Sequence, residues 1–406
     1  MVNKLNYSGW RSPVIVLIAG CLVAAIGFGV RSSFGLFLEP ITMAREWSRE
    51  TFSLALAFQN LMWGIGLPVA GMLADKFGPV KVIIAGAFIY ASGILGMILF
   101  DGKLAFQFTA GVITGLGIAF TAFSLALAAM VRVVGENKRS LVLGLGTAAG
   151  SFGQVIFSPI SQGFISAWGW SPALLILAGS LALLIPFALV LPNNTSVPGY
   201  LDVGQSLRQA LAEALGHRGY VLLTTGFFVC GFHVAFITVH FPAYVIDLGL
   251  DPIIGAHSIS IVGLMNIAGC LAAGYFGQHW SKKNGLSVIY FSRAIIIICL
   301  ILAPKTAMTI YLFAAGMGVL WLSTVPLTTG IVAQVFGVRY MATLFGIVFL
   351  SHQCGSFLGV WLGGRIYDAT GSYDGMWWAG VVLAVLSALV HLPINEKPLR
   401  RLTADA

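Results

Sequence analysis

One full charge stands inside an apolar run. The run opens near Pro13 and closes on Ile26-Gly27-Phe28-Gly29-Val30-Arg31-Ser32-Ser33-Phe34-Gly35-Leu36-Phe37-Leu38, with Arg31 inside it. An Arg at membrane depth costs on the order of 3 kcal/mol on insertion scales. A chain keeps such a charge where it snorkels to an interface, meets a partner or binds an anion. The glycines around Arg31 let a neighbouring helix or a ligand come close. Arg31 is therefore the first candidate substrate-binding residue, and a small anion is the ligand it suits. The plain alternative is an Arg that reaches the headgroups and binds nothing.

Other polar residues also fall at mid-span. In the second half they are His233, Asn266, Trp321, Thr324, His352 and Gln353, with Arg293 about two turns from the cytoplasmic surface. His233, Asn266, Trp321, His352, Gln353 and Arg293 join Arg31 as candidate substrate contacts. Each has an ordinary reading too: polar side chains glue helices together for about 1 kcal/mol, and Arg293 could snorkel inwards. His240 lies nearer the outer surface, where solvation would satisfy it. In the first half Gln59, Asn60, Ser124 and Gln154 are the polar residues at depth. No carboxylate is at mid-span: Glu39, Asp75 and Asp368 all fall near helix ends. A proton carried with the substrate would therefore use an imidazole, His233 or His352. Exchange of one anion for another and uptake of the protonated acid are the competing routes.

Composition places these residues in a bilayer. Of 406 residues, 58% are hydrophobic and 9% charged, with mean hydropathy +0.93. A soluble domain carries about 25% charged residues. The net charge of +8 would suggest nucleic acid in a soluble protein. Here the bases fall between apolar runs, so membrane orientation explains them and no nucleic-acid partner is expected. The five cysteines lie within apolar runs and suggest neither a disulfide nor a metal site. No cofactor is expected. There is no HExxH, no GxSxG with partners and no acidic cluster, so an enzyme is not expected. No cleavable signal peptide is expected either.

Twelve runs of spanning length can be drawn: 13–38, 52–72, 82–100, 104–130, 141–163, 171–191, 220–243, 256–277, 286–303, 309–329, 342–362 and 374–393. An even count puts both termini on one side. That side collects Lys76, Lys81, Arg132, Lys138, Arg139, Lys282, Lys283 and Arg339; the other holds Arg45, Arg49, Lys103, Lys305 and Arg365. With the tails and the linker's Arg208 and Arg218 included, the bias is about three to one and sets the termini in the cytoplasm. The longest gap, 192–219, spaces Val203, Leu207, Leu211 and Leu215 along one helical face. The expected plan is an N-terminal six-helix bundle (1–191), a cytoplasmic linker with a short amphipathic helix (192–219) and a C-terminal six-helix bundle (220–406). Two pseudo-repeated halves around a central site are a recurring transporter design.

After the second run comes Gly71-Met72-Leu73-Ala74-Asp75-Lys76-Phe77-Gly78-Pro79-Val80-Lys81. It resembles the loop motif of the major facilitator superfamily, G-x-L-a-D-r-x-G-x-x-k. The resemblance covers the whole chain and implies the all-α fold of twelve helices in two pseudo-symmetric bundles. It implies an inner gate in which Asp75 meets Arg132 and the start of helix 11, with Gly71, Lys76 and Gly78 in the same loop. It also implies that helices 1, 4, 7 and 10 line the cavity. The matching place in the second half, Gly274 to Lys283, has Gln278 where the acid would be.

Helix 5 opens Lys138-Arg139-Ser140-Leu141-Val142-Leu143-Gly144-Leu145-Gly146-Thr147-Ala148-Ala149-Gly150-Ser151-Phe152-Gly153. It resembles the helix 5 signature of the monocarboxylate transporters, a branch near the oxalate–formate antiporters. Arg31 to Glu39 resembles the family segment where a substrate-facing Lys takes the Arg31 position. Helix 8 departs from the family. Its Asp and the Arg four residues on are replaced by Asn266 and Cys270. The resemblance thus implies a secondary carrier of small organic anions, mono- or dicarboxylates, with anion binding resting on Arg31. Such a carrier is expected to act as a monomer in a bacterial inner membrane, by alternating access and possible proton symport. An efflux carrier for neutral or cationic lipophilic compounds is the first alternative, although a cation would want a mid-membrane acid. A non-transporting receptor is the second, and it would be expected to carry a soluble domain.

Overall fold

The structure, a computed structural model, describes residues 12–131, 133, 139–192, 205–337 and 340–399. Every regular element among them is helical. The long helices are α1 (Pro13–Ala44), α2 (Arg49–Phe77), α3 (Pro79–Leu99), α4 (Lys103–Leu127), α5 (Arg139–Trp168), α6 (Trp170–Val190), α7 (Arg218–Asp247), α8 (Pro252–His279), α9 (Lys282–Leu302), α10 (Ala307–Phe336), α11 (Met341–Thr370) and α12 (Asp374–His391). Eleven of these are long and apolar enough to cross a membrane. The remaining one, α5, has 30 residues and so reaches about 45 Å at 1.5 Å per residue. The connections are short: Gly78, at φ +88°, alone joins α2 to α3, and Gly169, at φ +82°, alone joins α5 to α6. Positive φ is open to glycine at little cost.

The linker helix runs Leu207–Gly216 and starts with a reciprocal capping box between Ser206 and Gln209. Its inward side is Ala210 and Ala214, while Leu207 and Leu215 are exposed. Leu211, between them in the stripe, is half-buried against the apolar core, so only the two ends of the stripe are open to lipid. Val203 lies outside the described residues.

The chain forms two compact units, residues 1–47 with 62–196 and residues 48–61 with 197–406. The same packing recurs in both. In the first, a methyl group added at Gly153 of α5 would strike the Ala25 carbonyl of α1, and one at Gly29 would strike the Gly153 carbonyl. In the second, Gly231 of α7 abuts the His352 carbonyl, and Gly355 and Gly359 of α11 abut the Phe228 and Phe232 carbonyls. Lipid tails give no hydrophobic drive to helix association, so backbone contact through small residues carries it.

Three helices break at depth. α1 is regular over Pro13–Ser32, then turns through a 3-10 stretch at Phe34–Phe37. The Ser32 and Ser33 hydroxyls donate back to the Gly29 carbonyl at 2.8 and 3.2 Å, a habit that bends helices. α4 carries a π stretch at Gln107–Ile113 and a second break near Thr121. α10 stops at Leu320 and restarts at Thr324.

The start of α2 is latched within the second unit. Arg49 grips Asp247 of α7 with two bonds of 2.7 Å, donates to the Tyr373 hydroxyl at 3.0 Å and lies over the Tyr367 ring at 3.8 Å. The Asp368 carboxylate accepts from the backbone amides of Arg49 and Glu50 at 3.0 and 2.7 Å, which caps the helix with a negative charge. Trp361 donates to Glu50 at 3.0 Å. Arg49 is buried, while a quarter of the Asp247 side chain meets solvent.

Two stability measurements follow. Gly355→Ala should lose about 1–3 kcal/mol through overpacking, whereas Gly274→Ala, with open space at its Cβ, should unfold like the parent in detergent. Asp247→Ala should cost about 2–3 kcal/mol, the low end for a broken buried pair because water screens the acid. An unchanged melting temperature for Asp247→Ala would show that the latch adds nothing to the fold.

Candidate functional site

Arg31 occupies the last regular turn of α1 before the break, and it is half-buried. Its guanidinium lies 4.5 Å from the centre of the Trp63 ring of α2 and 5.6 Å from that of Phe28. The aromatic faces carry partial negative charge and attract the cation. Tyr90 of α3 lies within electrostatic reach of the same guanidinium. Its ring packs 6.3 Å from that of Phe34, one turn beyond Arg31. A fixed cation in an aromatic recess suits the carboxylate of a small anion, because Arg binds such groups through two parallel N–H donors.

The second-half candidates divide into two groups. Asn266, Arg293 and Trp321 meet at the break in α10. Arg293 is fully buried and donates from Nη2 to the carbonyls of Leu320 and Trp321, at 2.7 and 2.6 Å. Asn266 accepts from the Leu322 amide at 2.9 Å. Cys230 of α7 completes the corner, with Sγ 3.3 Å from the Thr324 hydroxyl and 3.6 Å from Arg293 Nη2. These side chains satisfy the backbone groups that the break sets free, which irregular backbone at membrane depth requires. Arg293 does not snorkel: α9 turns it inwards, and helix carbonyls take its charge. Its Nε and Nη1 have no hydrogen-bond partner.

The other group lies on α7 and α11. His233 Nε2 donates to the Gly380 carbonyl at 2.9 Å, and the Nδ1 of both His233 and His352 is without a partner. His352 stacks on Phe349 at 5.5 Å and tilts against Phe227 at 5.1 Å. Gln353 is fully buried. His240 is not solvated as its place near the outer surface suggested. It is fully buried, with Nε2 on the Val360 carbonyl at 2.8 Å and Nδ1 3.0 Å from the Tyr373 hydroxyl.

Of the residues expected at an inner gate, Gly78 makes the α2–α3 turn, Gly71 has open space around it and Lys76 is exposed. The Asp75 side chain and Arg132 lie outside the described residues. Sequence reasoning overlooked Arg49 and Tyr90. Arg49 read as one more outer base, and nothing marks a single Tyr in an apolar run. The clue to Arg49 was the pair of acids, Asp247 and Asp368, near the ends of two other spans.

The comparisons bear on the family and the fold. The Major Facilitator Superfamily model matches residues 20–359. The chain is 26% identical to Monocarboxylate transporter 13 of Rattus norvegicus, over 95% of this chain and 89% of that one. It is 25% identical to Monocarboxylate transporter 1 of the same organism, over 94% and 83%. It is 24% identical to the uncharacterized MFS-type transporter YcxA of Bacillus subtilis (strain 168), over 92% and 94%. Among solved structures, a bacterial homolog of the human lysosomal transporter Spinster superposes with TM-score 0.75 at 14% identity, over 96% of this chain and 97% of that one. A D-xylose-proton symporter gives 0.72 at 14%, over 95% and 99%. The matched span, the helical order and the named relatives identify a multi-pass membrane transporter rather than an enzyme, and the chain belongs to the Major Facilitator Superfamily, where it resembles the monocarboxylate transporters.

Proposed function

We propose that the protein is a secondary carrier of small organic anions, monocarboxylates first among them, working by alternating access as a monomer. The observation that carries this reading is Arg31: a full charge at depth, half-buried, seated against Trp63 and Phe28 at the break of α1. The relatives named monocarboxylate transporters support the substrate class. The helix 8 departure supports the reliance on Arg31, because Asn266 and Cys270 bond each other at 3.3 Å and Asn266 serves the α10 break. The excess of Lys and Arg in alternate loops supports cytoplasmic termini. The compact loops and the Bacillus relative favour the cytoplasmic (inner) membrane of a bacterium. In this reading Asp75 and Arg132 latch the inner gate, and the loop glycines Gly71 and Gly78 let it close.

A proton accompanies the anion in this proposal. The helices offer imidazoles and no mid-span carboxylate for it. His233 and His352 each keep an Nδ1 without a hydrogen-bond partner, where a proton can be taken. Asn266, Trp321, Gln353 and Arg293 complete the candidate contacts of the second unit.

Arg31→Gln should abolish anion uptake in proteoliposomes with expression and melting temperature unchanged. Arg31→Lys should keep a fraction of it, since the charge stays and the planar fork is lost. Normal uptake by the Gln variant removes Arg31 from the site. His233→Gln and His352→Gln should each leave anion exchange nearly intact, and at least one should lose accumulation driven by an imposed pH gradient. If both accumulate substrate as the parent does, exchange or uptake of the protonated acid replaces symport.

A further inference from the structure

The Arg31 recess contains a donor that the reading above leaves without a task. Tyr90 sits midway along α3, has no solvent exposure, and its hydroxyl has no hydrogen-bond partner. A buried hydroxyl without a partner costs stability and calls for an explanation, and a ligand that comes and goes is one. Tyr90 cannot easily withdraw. A methyl group added at Gly117 of α4 would strike the Tyr90 backbone, so the two helices touch at this residue. On its other side the ring meets Phe34, one turn from Arg31.

We propose that Tyr90 donates the second hydrogen bond to the carboxylate held by Arg31, and that the pair selects anions with one carboxylate on an apolar body. This rests on the function proposed above and adds a residue and a selectivity to it. One carboxylate oxygen faces the guanidinium and the other takes the phenolic O–H. No proton is transferred. The body of the anion then lies among Phe28, Phe34 and Trp63, which offer aromatic surface and a single indole N–H. Arg31 is the only cation away from helix ends among the described residues of α1–α6. A second carboxylate on the ligand would stand without a counter-charge in an apolar wall, a costly arrangement.

The test is binding of benzoate and succinate to purified protein, with Tyr90→Phe and Arg31→Gln beside the parent. The parent should bind benzoate at least tenfold more tightly than succinate. Tyr90→Phe should weaken benzoate tenfold or more, which is about 1.4 kcal/mol. The ligand-free Tyr90→Phe protein should melt at the same or a higher temperature, since the hydroxyl lost has no partner in the protein. A merely structural hydroxyl, bonded to a buried water, would instead lower the melting temperature and leave benzoate affinity alone. Benzoate affinity within twofold of the parent in Tyr90→Phe, with none in Arg31→Gln, overturns the role of Tyr90 and leaves the Arg31 site standing. Parental affinity in both variants overturns the site itself. A parent that binds succinate as well as benzoate, or binds neither, overturns the selectivity.

Discussion

In hydrocarbon there is no water to satisfy a backbone group, so each polar atom at depth has to find its partner within the protein. That constraint accounts for the oddest residues in the chain. The break in α10 frees the carbonyls of Leu320 and Trp321 and the amide of Leu322. Arg293 and Asn266, on two other helices, are there to meet them. α1 breaks more gently. Its serines turn back on the Gly29 carbonyl, and Arg31 is left at the edge of the bend. A broken helix is tolerable only where such side chains are in place, so the polar residues and the breaks are two views of one requirement.

Cohesion follows from the same solvent. Burying apolar side chains gains little against lipid, so contact through glycine replaces it. The α1–α5 and α7–α11 pairs do this at equivalent places, with Gly153 against Ala25 in one and Gly355 against Phe228 in the other. The Arg49–Asp247–Asp368 cluster adds a different kind of hold. It is made of charge, sits at helix ends and is partly wet on its acidic side. Such a contact can be undone by water, whereas a glycine seam cannot.

Much of this was legible in the sequence. The run lengths fixed the helical order, because a bilayer dictates how long an apolar helix must be. The loop glycines announced the tight α2–α3 turn, since few other residues accept the backbone angle of Gly78. The singular position of Arg31 was visible as a charge with no mid-span acid to match it. What stayed hidden depends on tertiary contact. Arg293 looks like a snorkelling base until the break in α10 is known, and neither Trp321 nor Ser323 signals a break by itself. His240 looks solvated until Tyr373 and Val360 are seen to close over it. Tyr90 becomes notable only once its hydroxyl is known to be without a partner, and pattern alone carries no such information.

The two intramembrane arginines differ in how far each can serve a ligand, and magnitudes decide between them. Arg293 makes two short bonds to carbonyls. Hydrogen bonds to a charged group are worth about 1.5–3 kcal/mol each, so withdrawing it forfeits roughly 3–6 kcal/mol and leaves the α10 carbonyls bare. An anion would have to exceed that loss before it bound at all. Arg31 is seated differently. Its aromatic neighbours contribute on the order of 1–2 kcal/mol through their ring faces, and they remain in contact when a carboxylate arrives at the edge of the guanidinium. A carrier must also release what it binds, which argues against a site whose donor is needed elsewhere to keep a helix intact. Arg293 thus belongs to the broken helix of the second unit, and under the proposed function the anion falls to Arg31.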